Sequence, residues 1–331
     1  MRLPSIVAVI AIFVVGPATS LFAWGPAGHK IIASIAFRQL TTAERTKVLN
    51  LLAKHPRFAE DFTQKLPADV ASDEALKAEW MFQQAAIWPD IARSFKGEDR
   101  KYHHATWHYI NEPQFLTETD KDALQSKMKI NLETKIPATA QVDMNIIQSI
   151  RFARARLHSK SVPDSEKAIA LTWLFHCVGD SHQPLHSTAM FSRHLFPTGD
   201  RGGNSVATKQ RGNLHSLWDG FPGGDIKTTT ARNRALEFLA EPQYANLIKS
   251  AGKDLDEVTW IQESLRLSRE FVYSGEVHKS LEQLEKQGAD IKQNPITLSG
   301  DYLKSGGQIS RGRLVQAGLR LGAVLKQSLG E

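Results

Sequence analysis

Apolar residues recur at helical spacing through 25–40, GPAGHKIIASIAFRQL, where Pro26 stands near a first helical position. Thr41 followed by Glu44 forms a capping box that opens a second helix running to about Leu52. The run 73–88, DEALKAEWMFQQAAIW, predicts a third helix stopped by Pro89. Residues 137–159 predict a long amphipathic fourth helix, and 163–182 a fifth. The fifth is more apolar, hence central, and its end is set by Pro184. Residues 190–226 change character: they are rich in glycine with short β-prone pieces at most, and predict an excursion over the surface near the fifth helix. Helices follow near 229–240, 256–272 and 308–328, with 286–308 loop-like between the last two. No internal repeat and no linker demands a second domain. The expectation is one all-α domain over 24–331, with a Gly-rich loop or short β excursion.

The first residues fall outside that pattern. Residues 1–23 carry one basic residue, Arg2, then an apolar run, then small and polar residues ending at Ala23, and so predict a cleaved secretory signal. A membrane anchor is disfavoured, because the run is short and broken by Pro17, Thr19 and Ser20. Cleavage after Ala23 makes Trp24 the new N-terminus, although Leu21 sits where a smaller residue is usual. The expected location is secreted or periplasmic. Composition narrows the chemistry further. The 331 residues are 41% hydrophobic and 23% charged, an ordinary globular balance with material for a sizeable core. The formal charge of +6 falls to +5 without Arg2 and suits an anionic ligand. Cys177 is the only cysteine, which excludes an internal disulfide and a thiolate zinc site, so any metal must be held by His, Asp or Glu.

The stretch FHCVGDSHQPLH, residues 175–186, closes the apolar fifth helix with three histidines and an aspartate. Burying such groups costs several kcal/mol unless something pairs with them. His176 and Asp180 are four apart and share a helix face, and His186 lies just past Pro184. LHSLWD repeats the device with His215 and Asp219. Either pair alone could be hydrogen-bonded partners or a ligand set; both pairs with a third histidine point to metal. Asp90, His108 and His29 add candidates, making an oxygen-plus-imidazole set too large for one tetrahedral ion and better suited to catalytic than structural zinc. His55 and His158 read as surface residues at helix ends. His103, His104, His182 and His194 read as surface, loop or supporting groups, and His278 needs no role.

These residues in this order resemble the single-strand-specific zinc nucleases of moulds and plants, the nuclease S-one and P-one type. The resemblance rests on Trp24, HCVGDSHQPLH, DRGGN (200–204) and NLHSLWD (213–219), and covers most of the mature chain. It implies three zinc ions. Asp90, His108, His176 and Asp180 would hold one. The free amine and carbonyl of Trp24, with His29, would hold a second, bridged to the first by Asp180. His186, His215 and Asp219 would hold the third. It also implies hydrolysis of single-stranded DNA and RNA to 5′-nucleotides by a metal-bridged hydroxide, with 3′-nucleotidase activity at the same site. Arg93 would contact the phosphate, and Tyr109 would stack on a base.

One departure stands out. The better-known members have an aspartate three residues after the histidine that Asp90's ion uses; this chain has Asn111, which can orient water or a base but cannot act as a carboxylate base. The lack of disulfides suggests a bacterial-type member. A zinc phospholipase C would share the ligand set, but no apolar cluster for a lipid surface is evident and no stable membrane association is expected. A non-catalytic zinc-binding exported protein is the other alternative, weakened by the absence of cysteine. The expected partners are therefore single-stranded nucleic acid and nucleotides, bound by a monomer.

Overall fold

A computed structural model describes residues 24–138 and 143–330. The predicted leader, 1–23, lies outside the described residues, as does part of the predicted fourth helix. The chain is mainly helical. Helix α1 (Pro26–Gln39) begins at its proline, and α2 (Thr42–Leu52) carries the expected capping box: the Thr41 hydroxyl accepts from the Glu44 N–H at 3.3 Å, and Glu44 accepts from the Thr41 N–H at 2.7 Å. Such a cap contributes about 1 kcal/mol. Helices α3 (Glu74–Ala92), α4 (Ile146–His158), α5 (Asp164–Asp180), α6 (Leu214–Gly220), α7 (Thr228–Ala240), α8 (Glu257–Leu267), α9 (Gly275–Gln287) and α10 (Gly300–Leu329) follow, with one-turn helices between them. Among the described residues no helix is long and apolar enough to cross a membrane.

The large core lies where α1, α3, α4, α5 and α10 converge. Helix α5 is buried almost throughout from Ala168 to Asp180, as its apolar sequence predicts. Helix α1 lies very close to α10. A Cβ on Gly318 would stand 2.5 Å from the Ile35 Cβ, and one on Gly322 would stand 2.7 Å from the Gln39 Cβ. Two glycines a turn apart thus set the distance between these helices.

Several boundaries differ from expectation. Helix α3 runs through Pro89 to Ala92, which places Asp90 in its last turn. Proline cannot donate to the carbonyl a turn earlier; in that same turn the Ala86 carbonyl accepts the Nδ1 proton of His176 at 2.8 Å. Helix α4 starts at Ile146 rather than near Pro137, because Asn145 and Gln148 form a reciprocal cap there. Helix α9 was not predicted, since Val277, Leu281 and Leu284 are sparse among polar residues. Helix α10 begins at Gly300 behind the Ser299 cap, so half of the expected loop is helical.

The Gly-rich stretch is not a surface excursion. Strand β1 (Glu112–Phe115) pairs in parallel with β2 (Thr188–Phe191), with Glu112 opposite Thr188, and all of β2 is buried. Strands β3 (Ala207–Thr208) and β4 (Gly212–Asn213) form a small hairpin that leads into α6. Met190, Phe196, Val206, Leu214 and Trp218 then join Val277, Leu281 and Tyr302 in a second apolar cluster. Short apolar groups set among polar residues and glycines give no periodic pattern, yet they converge in space.

His55, expected at the surface, is buried with its ring edge-on to Trp88 at 4.3 Å, and its Nδ1 accepts from the Arg57 N–H. Burial pushes its pKa down to about 4. The fold therefore holds a neutral ring, while the unfolded chain takes up a proton below about 6.5. Stability from this group is complete above about pH 6.5 and is lost as pH falls toward 4, by about 3 kcal/mol. His55→Asn keeps an acceptor for Arg57 and is expected to lose that part of the acid dependence. Urea midpoints of both proteins between pH 4 and 7 would test this; parallel curves would refute it.

Candidate metal centre

Three elements bring the first group together. The last turn of α3 supplies Asp90, the one-turn helix Ala105–His108 supplies His108, and α5 supplies His176 and Asp180. His176 Nε2 lies 2.9 Å from His108 Nδ1, 3.1 Å from Asp180 Oδ2 and 3.8 Å from Asp90 Oδ1. His29, from the first turn of α1, comes to Asp180 from the other side: its Nε2 is 3.1 Å from Oδ1, and its ring stacks on His176 at 4.1 Å. Gly179 makes room for it, since a Cβ there would stand 2.8 Å from His29 Nδ1. The two oxygens of Asp180 thus face different histidines.

His186, His215 and Asp219 form a separate group. His186 donates Nδ1–H to the His108 carbonyl at 2.6 Å, and His215 donates Nδ1–H to the Gly202 carbonyl at 2.6 Å. The two Nε2 atoms then present lone pairs to each other across 3.2 Å, with Asp219 Oδ2 3.4 Å from His215 Nε2. Gln183 donates to the other Asp219 oxygen at 2.9 Å. Potential ligand atoms lie within 4.8 Å of one another in each of three sets: His29, His176, Asp180; Asp90, His108, His176; and His186, His215, Asp219. Trp24 is fully buried, and the Gly25 N–H bonds the Asp219 carbonyl at 3.2 Å, so the first described residues adjoin the third set.

The donor set fits a cation. Asp90 Oδ2, His108 Nε2 and His29 Nδ1 are buried without a hydrogen-bond partner among the described residues, while Asp90 Oδ1 and Asp180 Oδ1 meet Arg93 Nε at 2.9 Å and His29 Nε2 at 3.1 Å without hydrogen-bond geometry. Unpaired buried carboxylates cost several kcal/mol, and facing imidazole lone pairs repel unless a positive charge lies between them. The electrostatics agree. Burial drives the His108 imidazole well below its ordinary pKa and lowers His29 and His186, so these rings offer lone pairs. Burial pushes Asp180 up, but His176, His186 and His108 together hold it well below the usual carboxylate range. Burial pushes Asp219 well above that range, against the hydrogen bond from Gln183, so its carboxylate needs a positive partner.

His108 and His186 open onto a cleft of about 460 Å³ lined also by Arg93, Arg100, His103 and Arg201. Arg93 Nε lies 2.9 Å from Asp90 Oδ1. Tyr109 and Asn111 stand where this cleft meets a second cavity of about 410 Å³. Arg100 and Arg201 are not among the candidates that the sequence offers, and His103, expected as a surface, loop or supporting group, lines the cleft. Arg201 lies within the quoted DRGGN motif, whose glycines were its visible signal; Arg100 gave none. Of the alternatives for His182 the structure favours a supporting group: it is buried, donates Nδ1–H to the Val178 carbonyl at 2.8 Å, and accepts from Arg320 at 2.9 Å, tying the end of α5 to α10. His104 stacks on Trp107. His158 and His194 are exposed, as expected.

Known proteins are similar to this chain over nearly its whole described length. The S1/P1 Nuclease family matches residues 24–330. Endonuclease 4 of Arabidopsis thaliana is 24% identical over 311 residues, covering 92% of this chain and 88% of that protein. Endonuclease 2 of the same plant is 24% identical over 329 residues, covering 97% and 96%. With a match that begins at Trp24 and includes every residue of the three clusters, the chain belongs to the S1/P1 nuclease family, zinc-dependent endonucleases that hydrolyse nucleic acids.

Proposed function

We propose that this protein hydrolyses single-stranded DNA and RNA to 5′-nucleotides, removes 3′-phosphates at the same site, and holds three zinc ions. The observation that carries the reading is that His108 of one buried His/Asp cluster, which shares His176 with a second, and His186 and His215 of a third open onto one arginine-lined cleft. Asp90, His108, His176 and Asp180 would hold the first ion, and His186, His215 and Asp219 the third. Asp180 would be shared with a second ion held by His29 and by the amine and carbonyl of Trp24. That amine becomes a ligand only once residues 1–23 are removed, in keeping with a secreted or periplasmic, monomeric protein.

Bound zinc would supply Lewis acidity to the phosphoryl oxygens and lower the pKa of a water. The chain's own residues supply orientation. Arg93, a quarter exposed and anchored on Asp90, presents a planar guanidinium to the phosphate and to the charge it develops. Tyr109, half-buried at the junction of the two cavities, offers a ring face to a base, which selects an unstacked strand. Asn111 beside it can donate to and accept from a base or orient water.

Arg93→Ala is expected to lower kcat by about 10²–10³ while zinc content stays constant, the usual loss when one preorganised donor is removed. Loss of zinc in that variant would mean that Arg93 acts through Asp90 instead. The reading as a whole is tested on protein starting at Trp24. Zinc per chain is measured, and single-stranded DNA, RNA, duplex DNA and phosphatidylcholine vesicles are assayed before and after chelation. Chelator-sensitive release of 5′-nucleotides from single strands supports it. Turnover of lipid alone, or less than one zinc per chain, overturns it.

A further inference from the structure

The segment from Arg100 to Ala105 is a wall between two cavities. Arg100, His103 and Ala105 line the metal cleft, while Lys101, Tyr102 and His104 line a cavity of about 470 Å³ on the far side. Aromatic rings build that second cavity: Trp107 meets Trp173 edge-on at 4.9 Å and Phe152 at 5.6 Å. His104 lies flat on Trp107, with centroids 3.8 Å and planes 11° apart, so the half-buried His104 ring covers that indole face and lines the cavity in its place. The buried indole N–H of Trp173 has no acceptor among the described residues. Lys101 is exposed at the rim. Arg156 stands 5.0 Å over the Phe152 ring and neutralises Glu166, the carboxylate at this edge.

We infer that this cavity is a second base-binding subsite, which takes a nucleobase of the same single strand some nucleotides away from the scissile phosphate. The inference rests on the function proposed above. An aromatic lining with the exposed Lys101 ammonium at the rim matches a base and its phosphate, and stacking accepts any base provided it is unstacked. Continuity favours the same strand over a separate ligand. To pass from one cavity to the other, a backbone need only cross the ridge carrying Arg100, Lys101, His103 and His104. The subsite also abuts the centre: Trp107 immediately precedes His108, and the Trp173 ring lies 5.1 Å from the His108 ring.

The test uses intact, zinc-loaded protein and two variants outside the metal centre, Lys101→Glu and Phe152→Ala. Cleavage of a dinucleotide, too short to leave the metal cleft, is compared with cleavage of a single strand of about a dozen nucleotides. Each variant is expected to lower kcat/KM for the long strand at least about fivefold and to leave the dinucleotide unchanged. A strand carrying 2-aminopurine is expected to lose emission on binding the wild type and to keep it with Phe152→Ala. Equal losses on both substrates, or no loss on the long strand in either variant, would overturn the subsite. Lys101 is exposed, so Lys101→Glu decides the matter even if Phe152→Ala fails to fold. Failure of zinc-loaded wild type to cleave either substrate would overturn the function reading instead, and the 2-aminopurine signal would still decide the subsite.

Discussion

Asp180→Asn is expected to remove two of the three proposed zinc ions and to lower kcat/KM by at least about 10³. The reason lies in how the two oxygens are shared. Oδ1 faces His29 Nε2 at 3.1 Å, while Oδ2 faces His108 Nδ1 and His176 Nε2, both at 3.1 Å. One carboxylate therefore closes two clusters. Asparagine keeps the shape but replaces one acceptor with an N–H₂ group, which cannot ligate and points hydrogens at imidazole nitrogens. Asp219→Asn is the control: Asp219 belongs to one cluster, so one ion should be lost. Zinc per chain, measured by elemental analysis on folded protein, separates the cases. A full zinc complement in Asp180→Asn would sink the shared-ligand assignment.

Stripping the metals at neutral pH is expected to abolish activity and to lower Tm by about 20 °C, corresponding to three ions each held some thousandfold above its dissociation constant. Asp90 Oδ2 is buried with no protein donor, Asp180 is buried among three imidazoles, and the Nε2 atoms of His186 and His215 face each other at 3.2 Å. Without cations these groups repel or lie desolvated and unpaired, and the helices carrying them lose their reason to meet. Acid should act in the same direction, because protons compete for the same lone pairs. Thermal unfolding followed by circular dichroism, with chelator and then with zinc restored, measures the effect. An unchanged Tm in protein verified to be zinc-free would show that packing alone holds the clusters.

Much of this centre was legible because the signals are local. His176 with Asp180, and His215 with Asp219, are i,i+4 pairs, and helix geometry alone puts each pair on one face. The Thr41–Glu44 cap is likewise a matter of neighbours, and the apolar run of α5 announced a buried helix. Other features gave no local sign. Pro89 reads as a stop, yet packing against α5 carries α3 past it to Asp90. The residues of the second apolar cluster are scattered over 116–302 without a continuous periodic run, and α9 shows three apolar positions in a polar sequence. His55 and His182 sit among polar neighbours in sequence and are buried only because distant helices cover them.

The sequence by itself determined the ligand chemistry: imidazoles and carboxylates without a thiolate, two of the pairs already set by helical spacing, on a mainly helical chain. Tertiary structure decided which groups share a centre. Whether Asp90, His108 and His29 meet Asp180 depends on how α1, α3 and α5 cross, on the missing Cβ of Gly179, and on the pairing of β1 with β2 that fixes His108 against His186. Those distances are relations between segments far apart in the chain. They are set by the summed packing of the core, which no short window of residues encodes.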